Sequence, residues 1–350
     1  MPDFDHLDWT ALERLRAAFL GDVSARVEPY WKNHDTLAAY DATYAERIGW
    51  KWDALLRELA ARSWTPPAGT VLVDWGCGSG IASRRVLDVF GPAHFSGLHL
   101  HDHAPEAVAF ASARSRETYP ALPLLDSPGF RLATTPFTLV VSHVLNELPP
   151  EARATLLDLA ARAAAVLWVE PGTHADSRAL AVVRDGFRTT HRLVAPCTHC
   201  EVCPLFAEAN ARDWCHFFAE PPPGVQNDAS WVRFAHRAGI DLRSQAYSCL
   251  VLDRATTSAL PPVPAGTQAA RVLGRPEVFK PYARLLACVA DGLHFLELSK
   301  RTDPALVKRL AKDPPLPLYS LVREGTKITR LAPLIPEPGQ RAEPRAAAAE

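Results

Sequence analysis

The sequence predicts an α/β protein: an open, doubly wound sheet preceded by a helical amino-terminal region, interrupted by a cysteine-rich insertion and followed by a small β-rich extension. Three observations predict it. Before residue 62, apolar residues recur at three- and four-residue spacings in LERLRAAFL and WDALLRELA, the period of helices buried on one face. The period changes abruptly in VLVDWGCGSGIASRRVLDVF, residues 71–90, where a short apolar run passes through three glycines into an amphipathic segment. Beyond residue 270, RVLGRPEVFKPYARLLACVADGLHFLELSKR reads as strands joined by glycine turns.

Proline pairs and triplets at 66–67, 149–150, 221–223, 261–262 and 314–315 punctuate this plan, since proline ends helices and favours connectors. The expected division is a helical region over 1–65 and a sheet domain over 66–265 carrying the cysteine segment 195–220. A basic β-rich extension over 266–336 and a disordered tail over 337–350 follow. In the lead-in, Trp50 and Trp52 cannot share one helical face, so one is expected on the helical layer and the other against a neighbour or solvent.

The composition is globular: 48% hydrophobic and 22% charged residues exclude a wholly disordered chain, a collagen and a coiled coil. Lys plus Arg total 38 against 39 Asp plus Glu, so no global positive field exists and any RNA contact must be regional. No run approaches 18 apolar residues, which argues against a membrane span. The amino terminus lacks a secretory pattern and the seven cysteines are odd in number, so a cytoplasmic location is expected, with a monomer when unbound.

In the 71–90 segment the strand Val71 to Val73 ends at Asp74, and Gly76, Gly78 and Gly80 precede a helix expected to begin near Ile81. Glycine permits tight turns and close backbone approach, and the helix start offers free amides, so this is a nucleotide-type pocket. The alternative is a glycine turn kept for packing. The order is DxGxGxG rather than the GxGxxG of dinucleotide sites. FSGLHLHDHAPEAVAFA then reads as a second strand and helix with Asp102 at the strand end. His99, His101 and His103 alternate there, and a polar strand end explains them better than a metal site. FTLVVSHVLNELPP, residues 137–150, reads as a strand with its exit loop, and AVLWVEPG as the next strand, ending at Glu170. Asn146 and Glu147 could simply cap the helix that follows.

The run APCTHCEVCPLFAEANARDWCHF, residues 195–217, places Cys197, Cys200, Cys203 and Cys215 close together. Such spacing lets sulfurs converge on one soft metal centre, as four thiolates around zinc or around an iron-sulfur cluster. By short spacing alone these four would be the ligands.

With APCTHCEVCP and DWCHF following the DxGxG motif, VLNELP and VEPG, the chain resembles the mitochondrial small-ribosomal-subunit-associated methyltransferase-like family and its bacterial relatives. The likeness runs from about Val71 to Lys300 and Arg301. It implies a Rossmann-like class I methyltransferase sheet binding S-adenosyl-L-methionine, with Asp74, Gly76, Gly78 and Gly80 around the methionine part and Asp102 at the ribose. His143 and Asn146, with Ser142 and Glu147, lie on the cofactor side. The resemblance also implies a [4Fe-4S] cluster on Cys197, Cys203, Cys215 and Cys288, leaving Cys200 and Cys249 as extras. Cys200 is the rival for the fourth position, zinc the rival for the metal, and His199 and His216 are supporting candidates. The implied partners are the small ribosomal subunit or its precursor and ribosomal RNA, in assembly or translation.

The sequence departs from that family at Thr198, where proline is usual, at Cys249, where an aromatic is usual, and in AKDPPLPLY, which lacks a tryptophan-glycine element. No general base is assigned, so the enzyme reading, a methyltransferase, stands beside two others. These are a catalytically inactive assembly factor and an active small-molecule or protein methyltransferase with a structural metal. From Arg271 to Arg330 there are twelve Lys or Arg and six Asp or Glu, and Arg271, Arg275, Lys300 and Arg301 are the expected phosphate contacts.

Overall fold

A computed structural model describes residues 4, 7–20, 31, 33–125, 134–243, 245–255, 260–312 and 318–335. The expected tail lies outside them. The lead-in forms α1 (Trp9–Leu20), α2 (His34–Tyr40) and α3 (Glu46–Ala61), with a π-helical turn, Asp41–Ala45, joining the last two. Asn33 caps α2 by accepting from the Thr36 amide at 2.8 Å, satisfying one of the donors that a helix start leaves open. Helix α3 ends before the proline pair, with Ser63 in the left-handed region.

The central sheet contains β1 (Val71–Trp75), β2 (Gly97–His101), β3 (Phe137–Ser142), β4 (Ala165–Pro171), β5 (Arg192–Ala195), β6 (Phe217–Ala219) and β7 (Gln245–Asp253). Its order is β2-β1-β3-β4-β7-β5, with β6 also on β7. Strands β2, β1, β3 and β4 are parallel. Strand β7 is antiparallel to β4, β5 and β6. Helices α4 (Ile81–Phe90), α5 (Pro105–Thr118), α6 (Pro150–Arg162), α7 (His174–Phe187) and α8 (Ala229–Ala238) complete this part.

Strand alternation sends side chains to opposite faces. Leu72, Val140 and Leu167 pack with Trp52, Leu55 and Val86 on one face. Val71, Leu139 and Val166 pack with Leu156, Leu159 and Val183 on the other. Covering both faces is what a parallel sheet requires. Trp50 and Trp52 are both fully buried. Trp50 meets Trp231 of α8, ring centroids 4.9 Å apart, while Trp52 donates to Ser142 Oγ at 3.0 Å. Neither faces solvent.

The extension contains β8 (Gln268–Val278), β9 (Tyr282–Val289), β10 (Gly292–Ser299), α9 (Pro304–Leu310), β11 (Leu318–Glu324) and β12 (Lys327–Pro333). Its strands close into a barrel, β10-β12-β11-β8-β9, around Val272, Leu285, Leu296, Leu298, Tyr319 and Ile328. Gly274 lies within β8, where its register against β9 shifts. Its amide donates to the His216 carbonyl at 2.9 Å, so it docks the barrel on the sheet rather than forming a turn.

A buried ion pair joins barrel and sheet. Arg271 on β8 donates to both carboxylate oxygens of Glu58 on α3, at 3.0 and 2.5 Å, and to the Pro196 carbonyl at 2.7 Å. Arg62 also pairs with Glu58. Arg271 is 2% exposed, which corrects its expected role as a phosphate contact. The guanidinium is withdrawn from solvent because the barrel must close over a charged helix residue.

Candidate functional site

Where the chain leaves β1 for β2 and later returns to β3 on β1's other side, adjacent loops part outside the carboxyl ends of the strands. Such a switch point is where open α/β sheets bind ligands. A cavity of about 870 Å³ lies there, within the range for small-molecule sites. Its floor comes from Gly76 to Ser79 at the end of β1, His101 to His103 at the end of β2, and Ser142 to Val144 with Asn146 to Leu148 at the end of β3. The lead-in supplies its roof through Trp31, Tyr40, Tyr44 and Lys51.

Gly76, Gly78 and Gly80 all have positive φ, a region that glycine enters without steric cost. Their surroundings differ. A Cβ on Gly76 would lie 2.6 Å from Val144, and one on Gly80 3.0 Å from Ala111. A Cβ on Gly78 would meet only Trp31, at 3.9 Å, so this glycine keeps the cavity floor low. Gly78 and Gly76 line the cavity, whereas Gly80 and Asp74 do not.

Asp74 lies beneath the loop, fully buried. One oxygen accepts from the Ser83 amide at 3.3 Å and the other has no partner among the described residues. Burial pushes its carboxyl up to about 6. Asp102 accepts from the Gly78 amide at 2.9 Å and the Ala104 amide at 3.0 Å, with His103 at 3.2 Å. Burial opposes its ionisation, but these donors hold it below the usual aspartate range. It therefore remains an anion at the cavity floor, able to accept further hydroxyl hydrogen bonds.

His143, Asn146 and Glu147 line the same cavity. The loop carrying them is fastened by Glu170, whose buried carboxylate accepts from Trp168 Nε1 at 2.7 Å, the Leu145 amide at 3.1 Å and the Val144 amide at 3.3 Å. Burial pushes Glu170 up to about 7 despite these donors. His143 is held at φ 57, an arrangement rare for a non-glycine residue.

Sequence reasoning missed Lys51. Its ammonium position lies 3.3 Å from His143 Nε2, and burial, then Arg47, lowers it from 10.5 to about 7. Burial and the nearby cations also hold His143 well below its ordinary value. A lysine on a buried face, between two tryptophans, was the available signal. Lys51→Met is expected to exceed the parent in stability below pH 7, where the parent must carry a buried charge. The difference should narrow as pH rises from about 7 towards 10.5, because the unfolded lysine then binds more protons than the folded one. Urea midpoints across that interval check this.

The cysteine loop leaves the sheet edge after β5 and returns as β6. Arg184 of α7 organises it, donating to the carbonyls of Glu201 at 2.6 Å and His199 at 3.0 Å and to Cys197 Sγ at 3.3 Å. Burial raises the Cys215 thiol well above its ordinary value, with further contributions from Cys197, Cys249, Cys288 and Cys203. Cys288 is raised by burial, then by Cys197 and Cys203. Cys249, expected as an extra, thus stands in the same electrostatic neighbourhood as Cys197, Cys203, Cys215 and Cys288. Cys200 instead faces Arg192, at 3.8 Å. His199 reaches Cys288 Sγ at 3.6 Å, and His216 stacks on Trp214 with centroids 4.5 Å apart. Nevertheless, no group of three or more His, Cys, Asp or Glu among the described residues is set to hold a metal ion. The expected metal-binding insertion is thus observed as a cysteine-rich loop, and the iron-sulfur expectation gains no direct support.

The mixed sheet, helices on both faces and a glycine-floored crevice at the switch point define an α/β protein of the Rossmann-like class. The chain belongs to the family of mitochondrial small ribosomal subunit Rsm22, whose model matches residues 42–304. No curated protein matches it. Among solved structures, magnesium protoporphyrin IX methyltransferase from Synechocystis PCC 6803 with bound SAH is similar at 12% identity, covering 70% of this chain and 95% of that one with a TM-score of 0.37. A SAM-dependent methyltransferase from Aquifex aeolicus is similar at 14% identity over 45% of this chain and 87% of its own, TM-score 0.33. TrmK from M. capricolum, in complex with SAH, is similar at 6% identity over 58% and 68%, TM-score 0.31. The mitochondrial family gives the expected cytoplasmic location no support. No described helix is long and apolar enough to cross a membrane.

Proposed function

We propose that this chain is an S-adenosyl-L-methionine-binding, methyltransferase-like protein that associates with the small ribosomal subunit or its precursor through ribosomal RNA. The observation that carries the cofactor assignment is the anionic Asp102 anchored on the Gly78 amide, where the bare glycine leaves the cavity floor open. Asp102 would accept the ribose hydroxyls, and Gly76 and Gly78 would pass beneath the methionine part. His143 and Asn146 would close the cofactor side, with Asp74 and Gly80 supporting the loop from below. The bound cofactor supplies an activated methyl group. The family membership supports the ribosomal partner.

The Lys51 and His143 pair favours a further reading, in which methyl transfer takes place. An acceptor that loses a proton on methylation could pass it to a lysine amine that is substantially neutral near pH 7.

The donor chemistry of Cys197, Cys203, Cys215 and Cys288 suits an iron-sulfur cluster with a structural role. Arg184 would hold the Cys197 sulfur in place through its Nε hydrogen bond.

Calorimetric titration of anaerobically purified protein should give one S-adenosyl-L-methionine per chain; no binding would overturn the cofactor reading. Iron and sulfide should be about four each per chain, lost in Cys288→Ser and retained in Cys200→Ser. Zinc without sulfide would defeat the cluster. Failure of the protein to sediment with small-subunit precursors would defeat the ribosomal reading.

A further inference from the structure

The barrel's connectivity is specific. In chain order its strands pair first with second, second with third, third with fifth, fifth with fourth and fourth with first. The third and fifth are parallel and α9 lies between the third and fourth. This is the five-stranded Greek-key barrel of OB-folds, which bind oligonucleotides on the second and third strands and the loops linking first to second and fourth to fifth. Here those strands are β9 and β10, and the loops are residues 279–281 and 325–326.

The outer face of β9 and β10 is divided. At one end Leu286, Cys288 and Leu293 turn onto the sheet domain's core. Beside them Phe295, the cross-strand partner of Leu286, is 50% exposed, and Phe279, in the loop before β9, is 41% exposed, although the barrel's own core is complete without them. Phe279 stacks on Tyr282 with centroids 4.9 Å apart. The Arg284 guanidinium lies 5.7 Å from the Phe279 centroid and 5.4 Å from that of Phe295, tying the rings into one surface.

Exposed cations border this surface. The Lys300 amide donates to the Pro281 carbonyl at 3.0 Å, which brings Lys300 and Arg301 beside the loop that carries Lys280. All three are exposed. Glu277 neutralises Arg284, leaving these three border cations to meet an anion.

We propose that this face seats single-stranded RNA, with bases stacked on Phe279 and Phe295 and phosphates met by Lys280, Lys300 and Arg301. The inference rests on the RNA part of the proposed function and specifies its surface and substrate. Exposed rings beside cations suit unstacked bases on a charged backbone. A duplex keeps its bases stacked internally and offers those rings nothing to bind.

Fluorescence anisotropy of the full chain with labelled oligouridylate of about twelve nucleotides, and with a duplex of equal length, tests this across a salt series. The paired substitutions Phe279→Ala and Phe295→Ala should weaken single-strand binding by roughly tenfold to a hundredfold, with the salt slope unchanged. Lys280→Glu with Lys300→Glu and Arg301→Glu should weaken it and flatten the slope. Phe279→Trp should retain binding, and an unchanged melting curve will show each variant to be folded. Parental affinity in the folded double-alanine protein, or duplex bound as tightly as single strand, overturns the proposal. Continued sedimentation with small-subunit precursors would then leave the broader reading standing. Lost sedimentation by the parent with oligonucleotide binding intact would reject the ribosomal reading alone.

Discussion

Replacing Arg271 by methionine is expected to lower the free energy of unfolding by about 3–5 kcal/mol, read from urea or guanidinium denaturation. Arg271 makes a bidentate pair with Glu58, reaches the Pro196 carbonyl and lies 5.0 Å from the centre of the Phe217 ring. One side chain thus joins β8, α3, the start of the cysteine loop and β6. Its loss leaves Glu58 buried with Arg62 as its remaining cationic partner. Glu58→Gln should cost at least as much, since it leaves two buried guanidinium groups without their carboxylate. The pH dependence has a definite sign. Burial alone would raise Glu58, but Arg271 and Arg62 outweigh it and hold the carboxyl at about 2 against an ordinary 4.5. The pair's contribution is therefore present above about pH 4.5 and is lost as pH falls towards 2, because protonation is easier in the unfolded chain. Glu58→Gln should flatten that acid limb.

Gly78→Val should reduce affinity for S-adenosyl-L-methionine on the order of a hundredfold while leaving the protein folded. Its Cβ has space, with Trp31 at 3.9 Å, but its methyl groups would occupy ligand volume and the backbone would remain at φ 51, unfavourable for a β-branched residue. Gly76→Val is the contrasting case. Its Cβ meets Val144 at 2.6 Å, so it should displace the loop after β3 and lower stability as well as affinity. Isothermal titration beside thermal unfolding separates the two outcomes. Parental affinity in folded Gly78→Val protein would remove the ligand from this floor.

The glycine loop was readable because strand, glycines and helix are contiguous, and α4 begins at Ile81 as the local period predicts. Asp102 was readable for the same reason, lying just beyond β2. Lys51 was not, since its lowered proton affinity comes from burial and from cations, and its neighbour His143 is 92 positions away. The charge count over 271–330 identified a basic region but assigned Arg271 to its surface. A count of charges carries no information about which one folds inward.

By itself, the sequence determined the helical lead-in, the strand, glycine loop and helix from Val71 to Phe90, and the supply of thiols, because each is written in a few adjacent residues through period, turn chemistry and spacing. Only the tertiary structure decided that Arg271 turns inward onto Glu58 and that Lys51 meets His143. It likewise decided that the last five strands close through the parallel pairing of Glu297 with Lys327. Those outcomes depend on contacts between segments far apart in the chain. Their selection comes from burying apolar faces and satisfying buried charges together, which no local pattern encodes.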